Sequence, residues 1–113
     1  MARDLEQAGR ALDKARWVRT QRRLLKEAVQ DGSVDPITLL RGDDEEWESI
    51  VRGMTVFDAL KLVKSVGPGT ALEILVELRL PMTIKVVGLS YQGREELARL
   101  LELTLKGDPP VPA

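Results

Sequence analysis

Residues 5–30 form the longest uninterrupted helical pattern in the chain, and this pattern constrains the fold more than any other feature. The segment contains no proline, its one weak point is Gly9, and Gly32 stands where a helix C-terminus often carries glycine. Apolar residues of the first half project on the side that becomes basic in the second half, so one straight helix cannot bury both sets against the same core. We therefore expect residues 1–15 to form an arm.

The second half of this helix is predicted to have one packed face and one basic face. At about 100° per residue, five cations fall within an arc of about 120°. These cations are Arg16, Arg19, Arg22, Arg23 and Lys26. The apolar residues on the opposite side are Trp17, Val18, Leu24, Leu25, Ala28 and Val29. A basic helix face is either simply solvated or a surface that attracts phosphate, and both interpretations are kept at this stage.

The rest of the chain contains further helical patterns and no convincing strand. Asp35-Pro36 and Thr55 to Asp58 are typical helix starts, and Ser90 is most simply the N-cap of the last helix. Helices are predicted over residues 37–41, 43–51, 59–63, 70–80 and about 91–106, with 70–80 as a buried central helix and Leu97, Leu100, Leu101 and Leu105 as the core face of the last. The predicted fold class is all-α, with a long basic N-terminal helix or arm over residues 1–31, a helical domain over 32–106 and a disordered tail over 107–113.

The absence of cysteine and histidine removes the groups that most enzyme and metal sites use. A disulfide framework, a thiolate nucleophile, a Ser-His or Cys-His pair and the usual zinc sites are all excluded. The hydroxyl groups of Thr55, Ser65, Ser90 and Tyr91 have no base at a recognisable spacing. We therefore predict a protein that is not an enzyme and that has no catalytic residue, metal, cofactor or small-molecule substrate.

The sequence also predicts no membrane span. The longest apolar run is interrupted by Glu73, Glu77 and Arg79, well short of the roughly 20 residues that cross a bilayer. The N-terminus is charged from Arg3 onward, which argues against a signal peptide. These patterns indicate a cytoplasmic protein.

Charge is segregated along the chain although the formal net charge is only −1. Residues 1–29 carry eight basic and four acidic side chains, residues 30–60 carry two and eight, and residues 61–113 carry seven and six. Phosphate attraction acts over a Debye length of about 8 Å rather than over the whole molecule. A local basic surface can therefore exist on this weakly acidic protein.

A Gly-Pro-Gly turn at residues 67–69 separates two helical patterns. Glycine lacks a Cβ, so Gly67 and Gly69 can adopt positive φ and let another backbone approach. A helix that begins near Thr70 presents unpaired N–H groups and a positive dipole end. This layout is typical of a backbone clamp for nucleic-acid phosphate. An ordinary helix–helix connection uses glycine for the same conformational reason, so the turn alone leaves both interpretations open.

The order of these features resembles the actinobacterial type of integration host factor over about residues 12–101. The matching residues are Leu12 to Ala15, Gly53-Met54, Ala59-Leu60, Val66-Gly67, Ala71, Glu73-Ile74, Glu77-Leu78, Gly88-Leu89 and Leu100-Leu101. That family comprises small all-helical nucleoid-associated proteins with a basic N-terminal helix and a helix-two-turns-helix element, a relative of the helix-hairpin-helix. Its members bind duplex DNA with little sequence preference and can bend it.

The resemblance implies a phosphate clamp at residues 66–71, aided by cations in the link after Pro81. Where the family turn carries lysines, this chain has Ser65, Pro68 and Thr70. Where the family link carries three arginines, this chain has Ile84, Lys85 and Val87. Each lost phosphate contact is expected to flatten the salt dependence of DNA binding by about 0.9 log unit.

We predict a non-enzymatic DNA-binding protein of the nucleoid that reads the phosphate backbone of duplex DNA largely independently of sequence. The predicted contacts join the turn, its neighbours and the cations of the first helix. They are Lys64, Ser65, Gly67, Pro68, Gly69, Thr70, Lys85 and Arg94, together with Arg16, Arg19, Arg22, Arg23 and Lys26.

Two other classes of function stay open from the sequence. The first is a protein-interaction module, including self-association, that uses the alanine-rich arm and the apolar link at Ile84, Val86 and Val87. The second is RNA or ribosome binding, which the kinship of the helix-two-turns-helix with ribosomal elements suggests. Exposed valines in the link would favour the protein partner.

Overall fold

The computed structural model describes residues 2–107, and it describes side chains from residue 12 onward. This part of the chain folds into six α-helices and one short 3-10 helix, without a strand, as the all-α prediction requires. The helices are α1 (Ala2–Gln30), α2 (Pro36–Arg41), α3 (Glu48–Arg52), α4 (Val56–Leu60), α5 (Pro68–Glu77) and α6 (Tyr91–Leu105), with the 3-10 turn at Val86–Gly88.

Among its described side chains, which begin at Leu12, helix α1 packs against the domain through its C-terminal part. Leu25 and Val29 are buried and Ala28 packs against them, whereas every side chain from Leu12 to Thr20 except the half-buried Val18 is exposed. The predicted packed face was therefore too broad, because Trp17 and Leu24 are 54% and 40% exposed. The helix ends as expected before Gly32, which has a φ of 88°.

The hydrophobic core is built where α2 packs against α6, α4 against α5, and α1 against α3. Its largest fully buried side chains are Leu25, Leu39, Leu40, Val51, Val56, Leu60, Ile74, Leu75, Val86, Leu97 and Leu101. Burying one such side chain contributes about 1.5–3 kcal/mol. Leu105, assigned to the core face from its spacing, is 39% exposed at the end of α6.

Side-chain caps fix the starts of α2, α4 and α6 at the predicted capping residues, although α4 follows its cap directly over Val56–Leu60 and does not occupy the predicted residues 59–63. The carboxylate of Asp35 accepts from the N–H groups of Ile37 and Thr38, the hydroxyl of Thr55 accepts from Asp58 N–H at 3.1 Å, and that of Ser90 accepts from Gly93 N–H at 3.0 Å. The acidic run at residues 43–46 does not open a helix as predicted. It forms a turn in which Asp44 accepts from Trp47 N–H, and α3 begins at Glu48.

Helix α5 differs from its prediction in both position and burial. It begins at Pro68 and ends at Glu77, where Arg79 adopts a φ of 57° and the N–H of Leu80 returns to the carbonyl of Leu75 at 2.9 Å. Ala71, Ile74 and Leu75 are buried, but Val76 is 75% exposed. The helix lies at the surface with one packed face, so the prediction of a buried central helix was wrong.

The link after α5 is joined to the segment before α4 by backbone hydrogen bonds. Val56 donates to the carbonyl of Ile84, and Val86 donates to the carbonyl of Met54, both at 2.9 Å. These bonds flank an isolated antiparallel bridge between Thr55 and Lys85. The link is thereby fixed beside the start of α4.

Two sequence predictions on organisation stay predictions. Residues 108–113 of the predicted disordered tail lie outside the described residues, and Gly107 closes the end of α6 by donating to the carbonyl of Thr104. The division into an arm and a domain likewise stays a prediction, since side chains before Leu12 are outside the described part.

Candidate nucleic-acid interface

The N-terminus of α5 carries backbone donors without a side-chain cap. Gly67 is the N-cap residue in an extended conformation, with φ −84° and ψ 176°, and Pro68 occupies the first helical position. Proline has no N–H, so the first donors of the helix are those of Gly69 and Thr70. No side chain of Gly67 can satisfy them, and the positive end of the helix dipole is therefore presented with two free N–H groups.

The two glycines of this turn do not use the positive φ on which the sequence argument relied. In the described chain, positive φ at glycine occurs at Gly32, Gly42 and Gly107 instead. A Cβ placed on Gly67 or Gly69 would meet nothing within 4 Å. Neither backbone conformation nor internal packing requires glycine at Gly69, although glycine in a helix costs about 0.5–1 kcal/mol relative to alanine. Glycine at position 69 leaves open space on the outer surface of the molecule.

Lys64 and Ser65 precede the turn and are both exposed. They line a cleft of about 520 Å³ together with Val63, Pro36 and the end of α1 at Val29 and Gln30. The approach to the turn is therefore beside the C-terminal end of the basic helix. None of the five predicted cations of α1 and none of residues 67–70 lines this cleft.

Most of the predicted cations of α1 are exposed, but Arg22 is not a free cation. Arg16, Arg19, Arg23 and Lys26 are exposed to solvent. Arg22 is half-buried, its Nη2 donates to the carbonyl of Gly53 at 3.1 Å, and its Nε is covered by protein. It lies in the row of the buried Leu25 and Val29, so its main effect is to attach α1 to the loop after α3.

Lys61 belongs to this surface and was missed by sequence reasoning. It follows α4, is exposed, and lines a cleft of about 340 Å³ with Arg22, Arg23 and Lys26 of α1. Its Nζ lies 5.1 Å from the centroid of the Phe57 ring. The spacing of three residues between Lys61 and Lys64 was the available signal, but their position beside α1 depends on tertiary packing.

In the link, Lys85 is exposed and Val86 is fully buried. Ile84 is half-buried, and Val87 is 51% exposed. The expectation of an exposed apolar link is therefore wrong for Val86, because its side chain and its N–H both face the core region around Met54. Lys85 keeps an accessible cation beside the cap of α4.

Arg94 cannot serve as the predicted phosphate contact. Its side chain is 11% exposed, and its guanidinium forms a two-pronged ion pair with Glu48 in which Nη1 and Nη2 each donate at 2.8 Å. Nε donates to the carbonyl of Leu40 at 2.8 Å, and Nη2 also donates to that of Leu39 at 3.1 Å. Arg94 thus satisfies the last carbonyls of α2 and joins α2, α3 and α6.

Other kinds of site receive little support within the described residues. No group of three or more histidine, cysteine, aspartate or glutamate side chains there is placed to hold a metal ion. None of the helices in this part of the chain is long and apolar enough to cross a membrane. The Ser33 hydroxyl and N–H donate to Asp31 and lower the pKa of its carboxyl, which stabilises the turn after α1 rather than a catalytic charge.

Comparisons with known proteins give no family assignment for this chain. No protein-family model matches it, and neither a curated protein nor a solved structure does.

Proposed function

We propose that this protein binds the phosphate backbone of duplex DNA without catalysing a reaction. The observation that carries the proposal is the position of the uncapped N-terminus of α5. It lies after a segment with exposed lysines that borders the basic half of α1. Backbone N–H groups and exposed cations are the donors that phosphate oxygens accept from, and under this proposal both contact the same duplex.

The contacts fall into two groups. Gly69 and Thr70 donate backbone N–H groups to one phosphate, with Lys64 close before them in the sequence, whereas Lys85 contacts phosphate separately, from beside the start of α4. Arg16, Arg19, Arg23 and Lys26 follow a second stretch of phosphates along α1. None of these groups reads a base edge, so binding depends on backbone charge and duplex shape.

A nucleoid role in the cytoplasm accords with this mode of binding. The sequence resemblance to the actinobacterial type of integration host factor adds support, and under this proposal the chain is a variant in which turn amides and helix cations replace several side-chain contacts. Bending of the duplex would follow if both groups of contacts engage phosphates on one side.

The proposal is tested by fluorescence anisotropy of a labelled duplex of about 25 base pairs at several salt concentrations, with single-stranded RNA as competitor. We expect the affinity for the duplex to fall steeply as the salt concentration rises, and single-stranded RNA to compete only weakly with the duplex. The double variant Arg19→Ala with Arg23→Ala should flatten the log–log salt slope by about 1.8, similarly for all duplex sequences. No duplex binding at low salt would refute the proposal, and stronger binding of RNA would favour an RNA partner.

Gly69→Ala tests the backbone contact independently of charge. Its Cβ would point toward the helix N-terminus, where the phosphate is bound, so DNA affinity should fall. The same change should raise stability by about 0.4–1 kcal/mol, because it reduces the entropy of the unfolded chain. Gly93→Ala is the control for DNA affinity, which it should leave unchanged because the N–H of this first-turn glycine in α6 already donates to Ser90. A Cβ there would lie 3.3 Å from the Ser90 hydroxyl, so no gain in stability is expected.

A protein partner is the second candidate, and it is favoured by one observation on α1. Trp17 and Leu24 are seven residues apart, and both are exposed on the side opposite the arginines. Light scattering over a range of concentrations tests self-association through this side. A mass that rises with concentration, and that Trp17→Ala with Leu24→Ala returns to the monomer value, would support it, while a constant monomer mass would exclude it.

A further inference from the structure

The cleft between α1 and α4 is a basic site that is separate from the Gly-Pro-Gly turn. It has a volume of about 340 Å³ and is lined by Arg22, Arg23 and Lys26 on one side and by Asp58 and Lys61 on the other, with Met54 and Leu62 completing it. Met54 and Leu62 are buried, whereas Arg23, Lys26 and Lys61 are exposed. The cleft therefore combines an apolar floor with a cationic rim.

Within the described residues, the cations of this rim form no ion pair. The ion pairs of the described residues are Arg41–Glu95, Arg94–Glu48 and Lys106–Glu102, all outside the cleft. Asp58 is the only carboxylate in the lining, and it forms no ion pair there. Like charges that share a small site repel one another, and an anion placed among them removes that repulsion.

Two contacts preorganise the site. Arg22 donates to the carbonyl of Gly53, which fixes α1 against the loop that leads to Met54. Lys61 extends over the Phe57 ring, which packs at the edge of the core, and its ammonium group is thereby held on the side of α4. Neither contact neutralises a charge, and three exposed cations, Arg23, Lys26 and Lys61, line the same concave surface.

We propose that this cleft binds a phosphodiester of the DNA backbone through Arg23, Lys26 and Lys61. The inference rests on the proposed DNA binding and assigns a position and a new contact, Lys61, to it. A phosphodiester only accepts hydrogen bonds, whereas a base edge also donates them. The cations of the lining only donate, and Asp58 is its only side chain that accepts hydrogen bonds strongly, so the lining favours a phosphate. Lys61 and the amides of Gly69 and Thr70 belong to one short segment of the chain. That segment therefore carries both the cleft contact and the proposed phosphate contact at α5.

Lys61→Gln tests the assignment in the duplex-binding measurement, because it removes one charge and keeps a side chain of similar length. We expect the log–log salt slope to flatten by about 0.9 and the affinity at 0.1 M salt to fall by about tenfold. Arg99→Gln is the control, since Arg99 is an exposed cation of α6 beside Glu77 and Glu96 and should leave the slope unchanged. Thermal melting of each variant confirms that it is folded.

The outcomes separate this inference from the proposed function. If Gly69→Ala and the α1 variants weaken duplex binding but Lys61→Gln leaves the slope unchanged, the cleft assignment is wrong and DNA binding stands. If the wild type binds no duplex, both fail. Inorganic phosphate provides a further arm: stabilisation of the wild type but not of Lys61→Gln, without duplex binding, would identify the cleft as a site for free phosphate and refute the duplex assignment.

Discussion

The two basic regions of this protein use the same kinds of side chain in opposite ways. On the α2–α6 side, Arg94 is buried and its donors are directed to Glu48 and to two backbone carbonyls. On the α1–α4 side, Arg23, Lys26 and Lys61 are exposed and form no ion pair within the described chain. A cation whose donors are already occupied holds elements of the fold together, whereas one whose donors are free remains available to a ligand. Substitutions in each region test this comparison. Those around Arg94 should lower stability, whereas those in the cleft should change stability little.

The largest effect is expected for Arg94→Met. Removing one partner of a buried pair leaves Glu48 and the carbonyls of Leu39 and Leu40 without their donor, which should cost about 3 kcal/mol of unfolding free energy. Urea denaturation followed by circular dichroism measures this loss. Adding Glu48→Leu should recover part of it, because the uncompensated carboxylate is then removed as well. An Arg94→Met protein as stable as the wild type would show that the pair does not hold the helices together.

A smaller loss is expected for Gly42→Ala, which tests the packing around the same guanidinium. Gly42 has a φ of 93°, and a Cβ there would lie 2.9 Å from Nη1 of Arg94. Left-handed backbone strain and the displaced guanidinium should together cost about 1–2 kcal/mol. Gly69→Ala, at a glycine with open surroundings, is predicted to raise stability, whereas Gly42→Ala lowers it. Thermal melts of the two variants therefore compare the two regions directly.

The smallest effect on stability is expected for the cleft itself. Arg23→Gln with Lys61→Gln should change the unfolding free energy by less than about 1 kcal/mol. Neither cation forms an ion pair within the described residues, and an exposed contact such as that of Lys61 with the Phe57 ring contributes about 0.5–1 kcal/mol. Added salt should stabilise the wild type more than this variant, since it screens a repulsion that the variant lacks. Denaturation at low and high salt measures the difference. A large loss on substitution would mean that the cleft cations support the fold after all.

Much of the helical framework could be predicted because its signals are local. Asp35, Thr55 and Ser90 cap the helices whose starts they predicted, and Gly32 follows the end of α1. The end of α5 was misplaced because Arg79 takes a left-handed conformation two residues before Pro81. The apolar composition of α5 also suggested a buried helix, although Val76 is largely exposed. Composition alone could not show how many faces of α5 pack against the rest of the protein.

Whether an individual cation is buried or exposed was harder to predict, although its position on the helix face gave part of the answer. Arg94 lies in line with the buried Leu97, Ala98 and Leu101, and Arg22 lies in line with Leu25 and Val29. A cation in a core row is expected to be enclosed, so these positions could have been separated from the free cations. The partner of Arg94 could not be predicted, because Glu48 is 46 residues away in sequence. Lys61 was missed for a similar reason.

The hydrogen bonds between residues 54–56 and 84–86 make the intervening chain a closed loop whose two ends are fastened together. Lys61, Lys64, Gly69 and Thr70 all lie inside that loop, and Lys85 lies at its fastening. The part of the proposed phosphate surface that lies outside α1 therefore belongs to one closed loop, and α1 contributes the remaining cations to it from outside that loop. A fragment that stops at Leu80 would retain every helix up to α5 in its sequence and still lack the fastening that sets their mutual position.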